Sequence, residues 1–283
     1  MTGRPMIGGE RARRPGPTVR TRVHEHLAGG ERRHEDRLAT EEPLEIRLAW
    51  PGESARRVWV TMRTPGHDFE LAAGWLVHEG IAAPDAVHGV AYCTDDELTD
   101  EQEFNVVTVT LSAPPLTPPG HRHVGRSSGS SACGVCGKDS LDAALATPSA
   151  ARWSGPLPSP EVVCSLPDRL HSAQTVFART GGVHAAGLAT ADGELLVVRE
   201  DVGRHNAVDK VTGARVLAGT SPAGACLVVS GRAGFELVQK AMAAGIGALV
   251  AVGAPTSLSV RLAEESGLVL YGFVSPERCV RYV

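Results

Sequence analysis

The chain has 283 residues, 42% of them hydrophobic, so it is long enough to bury a full core and is more typical of two modest domains than of one. Its formal net charge of −4 argues against a protein that coats nucleic acid, because that work requires a marked cationic excess. No stretch approaches the length of a membrane span, and residues 1–20 lack the apolar core of a secretory signal. We therefore expect a cytoplasmic protein that binds neither nucleic acid nor a membrane.

The first part of the chain is predicted to be a tail followed by a small α+β domain. Residues 1–40 are rich in Arg, Glu, Gly and His and show hardly any apolar periodicity, which predicts a disordered tail. Residues 41–112 contain alternating runs and one helical run, which predict a small α+β domain. Its predicted elements are strands over 43–49 and 57–62, a helix over 69–76 and a strand over 104–111.

Residues 113–137 form the next segment, which begins rich in Pro, Gly and Ser and ends in Cys133-Gly134-Val135-Cys136. This composition predicts a long, mobile, exposed loop. Such loops are usually linkers or functional lids.

Residues 138–283 alternate between strand and helix patterns, which predicts a three-layer α/β domain. Helices are expected over 138–145 and within 160–177. The remaining predictions are strands over 184–190, 194–198, 225–230, 248–252 and 268–271, and helices over 205–217, 235–244 and 257–266.

The cysteine pair, Cys133 and Cys136, is the clearest chemical motif. Two thiols three positions apart, just before a predicted helix and near Lys138, favour the reactive thiolate form. A zinc site is the alternative, but such sites want a second Cys or His pair. A zinc deaminase also needs an H-x-E element and a proline before the first cysteine. This chain has no H-x-E element, and Ala132 stands where the proline should be. A thioredoxin-type pair should directly follow a core strand, whereas this one follows a polar loop.

Small-residue turns after apolar strands are the candidate anion sites. Ser230, Gly231 and Arg232 follow a buried strand pattern and precede a helix, and free backbone N–H groups beside an arginine suit a phosphate. A tight turn with a surface arginine remains the alternative. The turn at Gly182 and His184 likewise consists of small residues next to an apolar strand.

The segment from 200 to 210 packs six ionisable residues into eleven positions, directly after a strand and at the start of a helix. Strand ends of this kind line the crevice where α/β domains bind ligands. Arg204 and Lys210 are therefore expected to neutralise a bound anion. The alternative is that Asp201 is a helix cap and the other residues form a solvated face.

Together these motifs closely resemble the formate dehydrogenase accessory sulfurtransferase family, FdhD, from about Pro43 to the C-terminus. The motifs that carry the resemblance are Thr64-Pro65-Gly66-His67-Asp68, Ser131-Ala132-Cys133-Gly134-Val135-Cys136-Gly137-Lys138, Thr180-Gly181-Gly182-Val183-His184, the segment 200–210, Ser230-Gly231-Arg232 and Gly253-Ala254-Pro255-Thr256.

The resemblance implies a sulfur carrier between a cysteine desulfurase and the molybdenum bis(molybdopterin guanine dinucleotide) cofactor of formate dehydrogenase. It also implies a C-terminal domain similar to the cytidine deaminase fold and a homodimer. Cys133 matches the persulfide-bearing cysteine and Cys136 its partner, while the cofactor is a bound substrate and no permanent metal is expected. The family's cofactor-binding stretch corresponds by position to Phe273, Val274, Ser275, Pro276, Glu277 and Arg278.

Two rival functions remain open at this point. One is a chaperone that holds the cofactor and docks the apo-dehydrogenase without chemistry at the cysteines. The other is a zinc-dependent nucleobase-type hydrolase, which the α/β pattern and the cysteine pair suggest.

Overall fold

The structure is a computed structural model, and it describes residues 14–94, 98–99, 102–119 and 150–283. Within these ranges the helices are α1 Asp68–His78, α2 Pro160–Ala173, α3 Phe177–Thr180, α4 Arg204–Leu217, α5 Phe235–Ala243 and α6 Ser257–Ser266, with a 3-10 turn at Pro84–Ala86. The strands are β1 Thr18–Leu27, β2 Gly30–Ala39, β3 Glu42–Trp50, β4 Glu53–Arg63, β5 Val87–Tyr92, β6 Val106–Leu111, β7 His184–Ala189, β8 Leu195–Asp201, β9 Gly224–Val229, β10 Ile246–Ala251, β11 Val269–Ser275 and β12 Arg278–Arg281.

The N-terminal unit is a four-stranded sheet in the order β4-β3-β6-β5, covered on one face by α1. Strand β3 alternates buried and half-buried residues, as a strand with one face on a core does. Leu44, Ile46 and Leu48 point from it into a cluster with Leu71 and Leu76 of α1. Burial of this apolar face holds α1 on the sheet.

The C-terminal unit is a six-stranded sheet in the order β12-β11-β10-β9-β7-β8, in which β9, β10 and β11 run parallel. Strands β9 and β10 are buried along their whole length because helices cover both faces. One core cluster joins the sheet to α4, α5 and α6, and a second joins its other face to α2. This three-layer arrangement confirms the predicted α/β class.

Helices α1 and α4 join the two units through a close glycine contact. A Cβ on Gly74 would lie 1.9 Å from the carbonyl oxygen of Asp209, and one on Gly213 would lie 1.8 Å from that of Glu70. No side chain fits at either position, so the two helix backbones touch. The N-terminal unit is therefore held directly against α4, whose first residues lie in the candidate site.

The expected disordered tail over residues 1–40 is wrong for residues 18–39, which form the hairpin β1–β2 with ten cross-strand pairs in an unbroken register. Its strands carry no buried residue, and the few large apolar residues, Val19, Val23, Leu27 and Leu38, stand among many charged ones, so the strand signal in the sequence is weak. Ion pairs such as Arg32–Glu25 link the strands across the hairpin. Residues 1–13 lie outside the described residues.

Most predicted elements that fall in the described residues are present, with shifts of a few residues at their ends. Strands β5 and β12 were not predicted, because both are half-exposed and short. The helix predicted over 138–145 and most of the predicted loop lie outside the described residues. Within the described part of the chain, no helix is both long and apolar enough to cross a membrane.

Candidate functional site

The candidate site lies at one edge of the six-stranded sheet, where β9, β10 and β11 end. Strand β7 runs antiparallel to β9, with Ala186 opposite Val229, so His184 at the start of β7 lies beside the end of β9. His184 is also opposite Asp201, the last residue of β8. The predicted anion-binding turns are therefore brought together at the carboxyl edge of the sheet, where α/β domains bind ligands.

Ser230 and Gly231 form the floor of the site. The Ser230 N–H donates to the Ala185 carbonyl at 3.0 Å, and its Oγ accepts from the Ala185 N–H at 3.0 Å. A Cβ on Gly231 would lie 3.6 Å from the His184 ring and 3.8 Å from Cδ of Arg204. The side chains of His184 and Arg204 thus lie next to the Gly231 backbone, which carries no side chain of its own.

Backbone hydrogen bonds tie the strand ends into one unit. The Gly253 N–H donates to the Gly231 carbonyl at 3.0 Å, and the Phe273 N–H donates to the Gly253 carbonyl at 3.1 Å. Among the described residues, the N–H groups of Gly231 and Arg232 donate to no protein acceptor. Two adjacent free N–H groups at a strand-to-helix turn are donors suited to an anion.

Arg204 is the side chain that marks the site most clearly. Its Nε is buried, and within the described residues it has no hydrogen-bond partner. A buried guanidinium donor without an acceptor is costly. Its aliphatic part lies against Gly231, so the arrangement favours an anionic ligand that supplies the missing acceptor.

The other charged residues of the 200–210 segment are paired within the protein, although Oδ2 of Asp209 is buried without a hydrogen-bond partner among the described residues. Glu200 accepts the N–H groups of Val176 and Phe177 at 2.8 and 2.7 Å, and so caps α3. His205 pairs with Glu236 at 2.8 Å. Asp209 is buried with Lys240 at 2.7 Å and His78 at 2.5 Å. The alternative of a solvated face is wrong, because these residues cross-link the core.

Lys210 was predicted to bind an anion, but the structure places it inside the protein. It is 1% exposed, and its Nζ lies 2.6 Å from Asp201 while donating to the carbonyls of Thr64 and Glu200 at 2.9 and 3.3 Å. Its charge and its donors are thus used inside the protein. This geometry contradicts a direct contact between Lys210 and a phosphate, and we assign it a structural role.

His184 is half-buried beside Arg204. Desolvation lowers its pKa below the usual 6.5, and the charges of Arg204 and His205 lower it further. The ring is therefore mainly neutral at pH 7, and the guanidinium whose charge acts on it is that of Arg204. Arg204 forms no ion pair with another described residue, and neither does Arg232, whose side chain is exposed.

Gly182 lies at the rim of the site. Its N–H donates to Thr180 Oγ1 at 3.2 Å, and a Cβ on it would lie 3.4 Å from that of Ala39 at the base of the hairpin. The predicted turn is therefore next to His184, as expected, and also in contact with the end of β2.

The predicted C-terminal stretch, 273–278, begins at the same edge. Phe273 is 44% exposed and has a left-handed backbone with φ of 50°, an unusual conformation for an aromatic residue. The Arg278 guanidinium lies 5.5 Å from its ring. Val274 was predicted to bind the cofactor, but it is 2% exposed and belongs to the core, so its side chain is not available to a ligand. Pro276 and Glu277 are exposed at the turn.

Cys133 and Cys136 lie outside the described residues. Of the described cysteines, Cys226 is fully buried, and burial raises the pKa of its thiol, which leaves it as a small apolar core residue. Among the residues that the structure describes, no group of three His, Cys, Asp or Glu side chains is placed to hold a metal ion.

Thr64 and Asn206 were not predicted as positioning residues. The Thr64 N–H donates to Asp201 and its Oγ1 accepts from the Val202 N–H, both at 3.1 Å. Asn206 donates to the Met62 carbonyl at 2.8 Å. These bonds fix the start of α4, and hence Arg204, to the N-terminal unit. The sequence shows these residues in two separate motifs, and only the fold shows that the motifs touch.

Known proteins similar to this chain include sulfur carrier proteins and a formate dehydrogenase accessory protein. The sulfur carrier protein FdhD of Streptomyces avermitilis is 50% identical over 246 residues, which cover 84% of each chain. That of Nocardia farcinica is 47% identical over 268 residues, which cover 92% of this chain and 91% of the relative. A crystal structure from Desulfotalea psychrophila, assigned as a formate dehydrogenase accessory protein, shares the fold with a TM-score of 0.72 and 24% identity over 94% of this chain and 97% of that one.

The sequence model of the FdhD/NarQ family matches residues 39–283. This range contains both sheets of the two units and every residue of the candidate site described above. The chain belongs to the FdhD/NarQ family.

Proposed function

We propose that this protein is a sulfurtransferase that accepts persulfide sulfur from a cysteine desulfurase on Cys133 and passes it to the molybdenum bis(guanine dinucleotide) cofactor required by formate dehydrogenase. The names of the relatives support the sulfur-carrier role. The cofactor is the substrate of this reaction, and its phosphates are the groups that the candidate site suits.

The observation that carries the proposal is the unpartnered guanidinium of Arg204. Its Nε is the buried hydrogen-bond donor of the 200–210 segment that has no acceptor among the described residues. It lies next to the free N–H groups of Gly231 and Arg232. An arginine with adjacent backbone donors matches the several oxygens of a phosphate.

The neutral state of His184 fits the same ligand. Its lowered pKa means that the ring adds no second charge beside Arg204, and one of its nitrogens remains able to donate a hydrogen bond. Arg204 and its polar neighbours thus face a diphosphate without the repulsion that a charged histidine beside Arg204 would add.

The sulfur chemistry belongs to the cysteine pair. The Cys133 thiolate attacks the outer sulfur of the desulfurase persulfide, so that the S–S bond of the donor breaks, a new one forms on Cys133 and the desulfurase leaves as a thiolate. With the cofactor bound, the Cys136 thiolate attacks the inner sulfur of the Cys133 persulfide, forming a disulfide and releasing hydrosulfide, and a thiol reductant then restores both cysteines. The cofactor takes up this sulfur in exchange for an oxygen ligand, which leaves as hydroxide.

Guanosine diphosphate tests the binding part of the proposal because it carries both the guanine and the diphosphate of the substrate. Isothermal titration of Arg204→Gln should show binding weakened about tenfold or more, the loss expected for a hydrogen bond to a charged group.

Arg215→Gln on the same helix is the matched control, since Arg215 bonds the Ser221 carbonyl away from the site. This control should bind as the wild type does. Equal affinity of the Arg204 variant and the wild type would show that the phosphate does not bind at this edge of the sheet.

A further inference from the structure

Cys164 and Cys279 are a second pair of thiols, which the proposed sulfur transfer does not use. Cys164 lies in the first turns of α2, and Cys279 lies in β12. The two residues are far apart in the sequence, but α2 packs against β12, and a side-chain hydrogen bond links the two thiols. Both residues are half-buried, and neither is in a disulfide. The fold therefore places two reduced, partly accessible thiols side by side.

The acidity of Cys164 reflects this contact. Desolvation raises the pKa of its thiol above the usual value, and the hydrogen bond and the charge of Cys279 raise it further. The charge of Glu161, one turn earlier on α2, acts in the same direction. Two neighbouring thiolates would repel each other, so the contact disfavours their forming at the same time. Thiol–disulfide exchange needs one thiolate at each step, and this arrangement permits that.

The strand β12, which carries Cys279, is weakly held in the sheet. It is at one end of the strand order, where it pairs with β11, and no described strand lies on its other side. Its pairing with β11 has an irregular register, and it has no buried residue. Helix α2, by contrast, is packed into the core through Leu166 and Leu170. A bond between Cys164 and Cys279 would thus tie an edge strand to a firmly packed helix.

The same strand begins at the end of the predicted cofactor-binding stretch, 273–278. At the start of this stretch, the Phe273 N–H donates to the Gly253 carbonyl at the carboxyl edge of the sheet. At its end, the Arg278 guanidinium lies 5.5 Å from the Phe273 ring, and Cys279 is the next residue. A bond that fixes Cys279 therefore restrains the stretch from its far end.

We propose that Cys164 and Cys279 are a thiol-modification site, at which a low-molecular-weight disulfide is reduced and a protein disulfide forms that locks β12 to α2. One protein thiolate attacks a sulfur of the small disulfide, so that its S–S bond breaks, a mixed disulfide forms and one small thiolate leaves. The second protein thiolate attacks the protein sulfur of the mixed disulfide, which forms the Cys164–Cys279 bond and releases the second small thiolate. The protein dithiol loses two electrons, and the small disulfide gains them and takes up the two thiol protons.

Peptide mapping of the full chain after treatment with glutathione disulfide tests the bond. The treated protein is alkylated without reduction and digested with trypsin. Residues 153–169, which contain Cys164, should be recovered joined to residues 279–281, which contain Cys279. The joined peptides should be lighter than their sum by two hydrogen atoms and should separate on reduction.

Thermal unfolding and hydrogen exchange test the lock. Oxidised protein should unfold about 5 °C or more above reduced protein, because the bond closes a long loop of the unfolded chain. The amides of β12 should exchange more slowly after oxidation. Cys164→Ser should abolish the joined peptides and both effects. Cys93→Ser, which removes a thiol that follows β5 in the N-terminal unit, is the matched control and should keep all three.

Four results would overturn the proposal. They are the absence of the joined peptides, the joining of Cys164 or Cys279 to a different cysteine, joined peptides without slower exchange in β12, and a band of twice the chain mass on a gel without reductant that the Cys164 variant lacks. The last result would make the bond a link between copies of the chain. Loading of sulfur on Cys133 does not enter this test, so the proposal stands or falls independently of the proposed function.

Discussion

Asp201 and Lys210 form a buried ion pair that decides how the charged 200–210 segment is interpreted. Asp201 is fully buried, and burial raises the pKa of its carboxyl although Lys210 opposes this. The carboxylate also accepts from the N–H groups of Thr64 and Gly203. Most of the charge in this segment thus holds the two units together, and Arg204 is left to act on a ligand.

Lys210→Met should therefore destabilise the protein strongly, by about 3–5 kcal/mol, because it leaves a buried carboxylate without its cation. Urea denaturation measures the loss. Arg215→Met on the same helix, where the side chain is partly exposed and bonds a single carbonyl, should cost less than about 1 kcal/mol. Equal stabilities of the two variants would show that Lys210 is free, as the sequence alone suggested.

Helices α1 and α4 set the position of the site at the scale of elements. Their backbones touch at Gly74 and Gly213, where no Cβ fits. Hydrogen bonds from Thr64 and Asn206 then fix the strand end and the helix start that flank Arg204. The sequence predicted both helices from their periodicity, but it could not predict this contact, because a glycine in a helix has the same pattern whether or not another backbone lies against it.

Gly213→Ala tests the contact. The added methyl group must push α1 and α4 apart, which should lower the free energy of unfolding by about 1–3 kcal/mol or more and weaken binding of guanosine diphosphate through displacement of Arg204.

Gly89→Ala is the control, since a Cβ there meets nothing within 4 Å. Its stability should stay within about 0.5 kcal/mol of the wild type. A stable Gly213 variant with unchanged nucleotide binding would mean that the two units are positioned by other contacts.

At the scale of the whole molecule, the strands and helices of the C-terminal unit were predictable because buried strands such as β9 and β10 have continuous apolar runs. The turn at Ser230 and Gly231 was predicted from its position after a buried strand, but its meeting with His184 depends on the antiparallel pairing of β7 with β9, which the sequence did not show. The hairpin β1–β2 was not predictable in this way, since its strands bury no residue and consist mainly of charged and polar residues. Lys210 was misassigned because sequence shows charge but not its partner.

The central claim is that Cys133 carries the sulfur, and intact mass spectrometry tests it most directly. After incubation with cysteine desulfurase and cysteine, wild-type protein should gain the mass of one sulfur atom, and a reductant should remove it. Cys133→Ala should gain none, whereas Cys226→Ala should gain sulfur like the wild type because Cys226 is a fully buried core residue. A Cys133→Ala protein that gains sulfur as readily as the wild type would contradict the account.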